Sequence, residues 1–335
     1  MCRKLEFTTE VPKLIKQIAF SLILIFSFIG TAFAELTPEQ QAARDEGLAL
    51  YQQSDWYDSQ PLLLEAAQAG DQKAQYFLAE AIRLSNRYMT AESRKWYEAA
   101  AEQGDLFAML RLSSSSDLCH EMGTCGPHST NWRSTALALA HERAAQGDVE
   151  AMQALFNAGQ GLEWLEKAAE GGYAPAQELL ASFYAEGEGW FLLPGRRQAA
   201  IEKWYKASAE GGFPLGMMSY ANFLYENNGS QKEMAYWVKK AAEGGYIGAV
   251  STYAAGLADV SGTLNYPKDI IAGYGLTYLV SRLEGGGYAP EAARRRLPLI
   301  AQEMTPEQIE EAKVFAAEWE DTHPPLSFFV PVFGY

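Results

Sequence analysis

The chain has 335 residues and is acidic, with 27 lysines and arginines against 42 aspartates and glutamates, a formal net charge of −15 at pH 7. Such a balance keeps a large surface soluble and disfavours nucleic acid or anionic lipid as a partner. A length of about 300 residues is long for one compact core, whereas a stack of repeats grows simply by adding neighbours.

Residues 1–34 begin with a basic segment (Arg3, Lys4, Lys13, Lys16), followed by an apolar run over 18–29 and Ala32-Phe33-Ala34 before Glu35. This is the layout of a secretory signal peptide with its small-residue cleavage site, and the run is short of the roughly 20 residues a spanning helix needs. The expectation is a Sec-exported, soluble periplasmic protein of a Gram-negative cell, with no membrane span after cleavage. Glu35 rather than a cysteine stands directly after the cleavage point, so a lipid anchor is not expected. Loss of the four basic residues together with Glu6 and Glu10 leaves 23 basic against 40 acidic residues, a formal charge of −17. Long-range steering then favours a basic protein partner.

The mature chain opens on Thr37-Pro38-Glu39-Gln40, a capping box with proline at the first helical position. Helical spacing predicts helices over 38–52, 57–69, 72–84 and 88–103. The helix endings repeat: residues 96–104 read WYEAAAEQG, 164–172 WLEKAAEGG, 204–212 WYKASAEGG and 237–245 WVKKAAEGG. Weaker copies occupy 62–70, 140–148 and 279–287. A bulky residue, a small pair and a closing glycine describe the last turns of a helix, with the small pair admitting a neighbouring backbone. The pairs begin at Ala66, Ala100, Ala144, Ala168, Ser208, Ala241 and Leu283, a spacing of mostly 33 to 44 residues with one gap of 24. The short gap implies a brief helix from about Val149 to Ala158. After the glycines come Ala74, Ala108, Ala176, Gly216 and Ala249, each followed four residues later by Leu78, Leu112, Leu180, Tyr220 or Tyr253. Each pair shares one helical face, so a new helix starts after each ending and the aromatic columns read as core packing.

Residues 176–189 (AQELLASFYAEGEG) followed by 200–212 (AIEKWYKASAEGG) resemble the Sel-one-like repeat, a relative of the tetratricopeptide repeat, and the pattern covers roughly residues 46–287. The units ending at Gly104 and Gly245 lack the family's Gly-x-Gly loop. The resemblance implies an all-α, right-handed α-solenoid of about seven helix–turn–helix repeats over 35–287. Capping helices are expected over 288–320 and an apolar tail over 321–335.

An insertion interrupts the repeats at residues 113–130 (SSSSDLCHEMGTCGPHST), where Cys119 and Cys125 flank a glycine-bearing segment. In an exported protein a disulfide is the first reading, and it would stiffen a protruding contact loop. A metal held by Cys119, His120, Cys125 and His128 and a pair of free thiols are the alternatives, although the spacing is not a usual zinc pattern. Further on, Trp190 and Phe191 are expected to cover the end of a neighbouring helix. Gly285-Gly286-Gly287 is read as the end of the last repeat helix, and Thr305-Pro306-Glu307-Gln308 opens a polar terminal helix. The tail at 324–335 (PPLSFFVPVFGY) is too apolar to ignore water. It is expected to pack along the terminal helices or to dock as an extended strand on a partner.

No G-x-S-x-G elbow, S-x-x-K, H-E-x-x-H or phosphate-binding loop occurs. His141 falls in a helix column of apolar residues and reads as partly buried core. The expectation is a non-enzymatic binding protein without cofactor or metal. Its contacts are assigned to polar positions on the first helix of each unit (Glu80, Arg83, Arg111, Asn222, Tyr225) and to the Cys119–Cys125 loop. For the finer function, the resemblance implies an immunity protein that neutralises a type VI-secreted phospholipase. Its alternatives are a scaffold in an envelope assembly such as exopolysaccharide export or signalling, and, more remotely, a hydrolase of the cysteine-rich repeat type.

Overall fold

The computed structural model describes residues 35–113, 131–260, 264, 266–285 and 287–333. Within them the chain is a succession of helices: α1 (Pro38–Gln52), α2 (Trp56–Gln68), α3 (Gln72–Asn86), α4 (Ala91–Glu102) and α5 (Leu106–Leu112). After the insertion come α6 (Trp132–Ala145), α7 (Val149–Asn157), α8 (Leu162–Glu170), α9 (Ala174–Ala185), α10 (Arg196–Glu210) and α11 (Pro214–Glu226). The series ends with α12 (Gln231–Glu243), α13 (Ile247–Leu257), α14 (Ile270–Ser281), α15 (Tyr288–Ala301) and α16 (Pro306–Thr322). No described helix is long and apolar enough to cross a membrane. From α1 to α15 each helix packs on the next, and α14 receives both α15 and α16. This is an all-α solenoid of helical repeats.

The repeated endings account for the stacking. Ala66, Ala100, Ala168, Ser208 and Ala241 are completely buried, as a small residue at a close helix contact should be. The closing glycines Gly70, Gly104, Gly147, Gly172, Gly212 and Gly245 all have φ between 84° and 96°. At the endings closed by Gly70, Gly104, Gly172, Gly212 and Gly245 the amides beyond the helix turn back onto the small pair. Gly172 N donates to Ala169 O and Tyr173 N to Ala168 O, both at 3.1 Å, which satisfies carbonyls a helix end would leave orphaned. An aspartate then caps α3, α5 and α7 through Asp71, Asp105 and Asp148. The positions after the closing glycines, Ala74, Leu78, Ala108, Leu112, Ala176, Leu180 and Tyr220, are buried as the spacing requires.

Three expectations need correction. The glycine run at 285–287 does not end a helix, because α14 stops at Ser281 and Gly287, with φ 112°, instead precedes α15. His141 is exposed rather than partly buried, and its ring lies edge-on 5.3 Å from Trp164. The aromatic pair after Gly189 splits: Phe191 packs edge-to-face on Tyr184, but Trp190 is 82% exposed.

The stack curls until its start meets its end. Gly285 lies so close to the carbonyl of Gln53 that a Cβ there would stand 1.9 Å from the oxygen. A cleft at this seam is lined by Asp55 and Asp58 from the first helical pair and by Arg282, Trp319 and Pro325 from the last elements. Beyond α16 the chain is extended and turns inward, and Leu326 and Phe328 pack on the C-terminal core. Val330 and Phe333 pack on the N-terminal core.

Candidate interaction surface

Residues 326–333 form the feature that joins the two ends of the solenoid, and backbone groups dominate how they are held. Ser327 pairs with Tyr246 as an isolated parallel bridge, Ser327 N donating to Gly245 O at 2.9 Å and Ile247 N donating to Ser327 O at 3.0 Å. On the opposite side, the end of α1 supplies a ladder of its own. Gln53 Nε2 donates to Leu326 O at 3.0 Å. Phe328 N donates to Gln52 O at 2.9 Å. The Gln52 side-chain amide then pairs with Val330 as a strand would, accepting from its N at 2.7 Å and donating to its O at 3.3 Å. Gly245 has a second use here, since a Cβ at that position would come within 2.8 Å of Pro325 O.

Aromatic rings set the lateral position of the tail. Phe329 lies edge-to-face on Phe213 at 5.6 Å and tilted against Tyr246 at 6.2 Å. Phe333 lies 6.1 Å from Phe107, with the Arg111 guanidinium 4.3 Å from its ring centre. Cation–ring and ring–ring contacts of this kind favour planar side chains at these two positions.

The far end of the tail rests on a buried charge cluster. Glu80, 1% exposed, accepts from Arg83 Nη2 at 2.7 Å, Arg111 Nε at 2.6 Å and the Tyr97 hydroxyl at 2.6 Å. The Tyr76 hydroxyl sits 3.4 Å from the same carboxylate and donates to Val332 O. Burial, then the Glu80 charge, pushes the Tyr76 and Tyr97 hydroxyls well above the usual phenol range, so both remain protonated donors. Burial is the largest single influence on Arg83 and Arg111 and opposes their charge, but Glu80 together with the neighbouring tyrosines raises both.

Three of the sequence-assigned contact residues, Glu80, Arg83 and Arg111, are thus brought together, with Glu80 spent on internal pairing and Arg111 turned to the tail. Asn222 and Tyr225 lie apart from them on α11. Asn222 is in a cleft with Gln198, Tyr205, Ser219 and Glu226, and Tyr225 is 63% exposed. Beside this cleft, burial raises the Glu178 carboxyl above its ordinary range although the Ser219 and Ser182 hydroxyls donate to it. Cys119, Cys125, His120 and His128 lie outside the described residues. Sequence reasoning did not single out Gln52, Gln53, Tyr76, Phe107, Phe213 or Tyr246 as groove residues. The one available signal was the apolar composition of the tail they hold.

No protein-family model matches the chain, and no curated protein matches it. Among solved structures it is similar to a protective antigen present in uropathogenic Escherichia coli strains and displaying an SLR fold. That match has 19% identity and a TM-score of 0.47, over 86% of this chain and 62% of that one. The chain therefore spans less than two thirds of that protein's length. It is also similar to a Sel1 repeat protein from Oxalobacter formigenes, with 19% identity and a TM-score of 0.43, over 96% of each chain. Its structural neighbours are Sel1 repeat proteins, and its own helices form a solenoid of helical repeats.

Proposed function

We propose that this chain is a non-enzymatic protein-binding solenoid, and that its partner is a secreted toxin which it neutralises as an immunity protein. One observation carries the binding reading: the curled stack already holds an extended polypeptide between its two ends through backbone hydrogen bonds and aromatic contacts. A surface that satisfies both the amide and the carbonyl of a strand is suited to reading a protein segment rather than to transforming a small molecule.

The finer reading draws on charge and on the resemblance of the repeats. A formal charge of −17 after the expected cleavage would speed capture of a basic effector in the periplasm. A type VI-delivered phospholipase is the toxin class that the repeat resemblance implies. The test is deletion of the gene in a strain exposed to the toxin-bearing competitor, with purification of the complex from periplasmic extract. The expected outcome is lysis of the deletion strain, rescue by the restored gene and recovery of one lipase in equimolar complex. Normal survival of the exposed deletion strain would overturn the immunity reading.

A further inference from the structure

We infer that the groove holding residues 326–333 is a binding site for an extended aliphatic–aromatic segment of a partner protein, and that the chain's own tail is a resident competitor for it. This deepens the protein-binding reading and rests on it.

The observations that carry it concern how the occupant is held. Gln52, Gly245 and Ile247 contact backbone groups of the tail, and such bonds are available to any extended chain. Side-chain preference enters at two places, the Phe213–Tyr246 slot that takes Phe329 and the Phe107–Arg111 slot that takes Phe333. The occupant is unevenly buried. Leu326 and Ser327 are buried, Phe328 to Val330 and Phe333 are only partly covered, and Val332 is 36% exposed. Phe329 also sits at φ 52°, a left-handed conformation disfavoured for a bulky residue. The tail is therefore a serviceable occupant but an imperfect one, and a segment without that left-handed aromatic would fit with less strain.

Competition follows from connectivity. A tethered segment acts at a high effective concentration, commonly in the millimolar range for short flexible links. It masks the groove from weak ligands and yields to a partner whose wider contacts outweigh it. An exposed apolar slot would also invite aggregation, which a resident segment prevents.

The probe is a fluorescein-labelled peptide with the sequence of residues 324–335. It is titrated against the full-length chain and against a full-length variant carrying Phe329→Asp and Phe333→Asp. The variant is expected to bind the peptide at least about tenfold more tightly, since the internal competitor is disabled. Adding Gln52→Ala to the variant is expected to weaken that binding at least fivefold. Equal affinity for wild type and variant, or no binding by a variant whose circular dichroism matches wild type, would overturn the inference.

Because the substitutions could unfold the seam, a second measurement uses the unaltered chain. Excess unlabelled peptide should raise deuterium uptake in the native tail, and unchanged uptake would also overturn the inference. Sedimentation that shows a dimer of the unaltered chain, abolished by the tail substitutions, would assign the groove to a second copy and overturn the partner form. Toxin rescue that persists when the peptide fails to bind would remove this inference and leave the protein-binding reading in place.

Discussion

Glu80 shows how a single side chain can be spent on structure while shaping a surface. Its carboxylate is enclosed by Arg83, Arg111 and the Tyr97 hydroxyl, so neutralising it takes a close negative charge away from two poorly solvated guanidinium groups. Breaking a buried pair of this kind costs about 3–5 kcal/mol. Glu80→Gln is therefore expected to lower the free energy of urea unfolding by that amount, and a loss below about 1 kcal/mol would show the pair to be effectively solvated. Asp105 gives a pH dependence. Burial pushes its carboxyl from 3.8 up to about 6, against the cap hydrogen bonds from Ala108 and Phe107. The folded state thus holds this proton more tightly than the unfolded chain does. Its contribution to stability is fully present below pH 3.8 and is lost as pH rises through about 6. Relative to Asp105→Asn, which keeps a capping side chain, the wild type should lose stability between pH 4 and pH 6 and level off above that. Urea midpoints across this interval check the direction.

Within the repeats, glycines serve two separable purposes. Gly172 has φ 87° and open space where a Cβ would go, so Gly172→Ala meets only the left-handed backbone penalty of about 1–2 kcal/mol. Gly172→Asn should recover part of that loss, because asparagine tolerates this conformation. Gly216, by contrast, faces Ser208, where a Cβ would stand 2.0 Å from Oγ and 2.7 Å from Cβ. Gly216→Ala must push α11 from α10 and is expected to cost about 1–3 kcal/mol, with no rescue by asparagine. Thermal or urea unfolding of the four variants separates the mechanisms.

These helix ends were also the most legible part of the sequence. The Thr37 box places α1 at Pro38–Gln52 as expected, and the shortened unit gives α7 at Val149–Asn157. Where local pattern was weak, the reading slipped. The Leu283 ending lies beyond α14, since the glycines mimic a helix stop in sequence whereas α14 already ends at Ser281. His141 sits at a core-like interval, yet it is exposed and meets Trp164 only in a T-shaped ring contact.

At the level of the whole molecule, curvature decides where the tail goes. Gln52 and Val330 are 278 residues apart in sequence, and no local periodicity announces that they meet. The tail was expected along the terminal helices or docked on a partner as a strand, and Leu326 and Phe328 belong to the C-terminal core. The rest crosses to α1, α3 and α5, because the stack curls far enough to bring Gln53 against Gly285. Composition revealed that the tail needed cover, but the cover itself depends on accumulated rotation along the solenoid. For the same reason Glu80, Arg83 and Arg111 were legible as polar positions on first helices, while their convergence on one carboxylate was not.

The claim that most of this rests on is that the two ends of the solenoid hold an extended polypeptide between them. Residue-resolved amide hydrogen exchange on the full-length chain tests it most directly. If the account holds, the Ser327, Phe328 and Val330 amides, bonded to Gly245, Gln52 and the Gln52 side chain, exchange far more slowly than in the same sequence as a free peptide. Exchange of all three at the free-peptide rate, with the helices still protected, would contradict it.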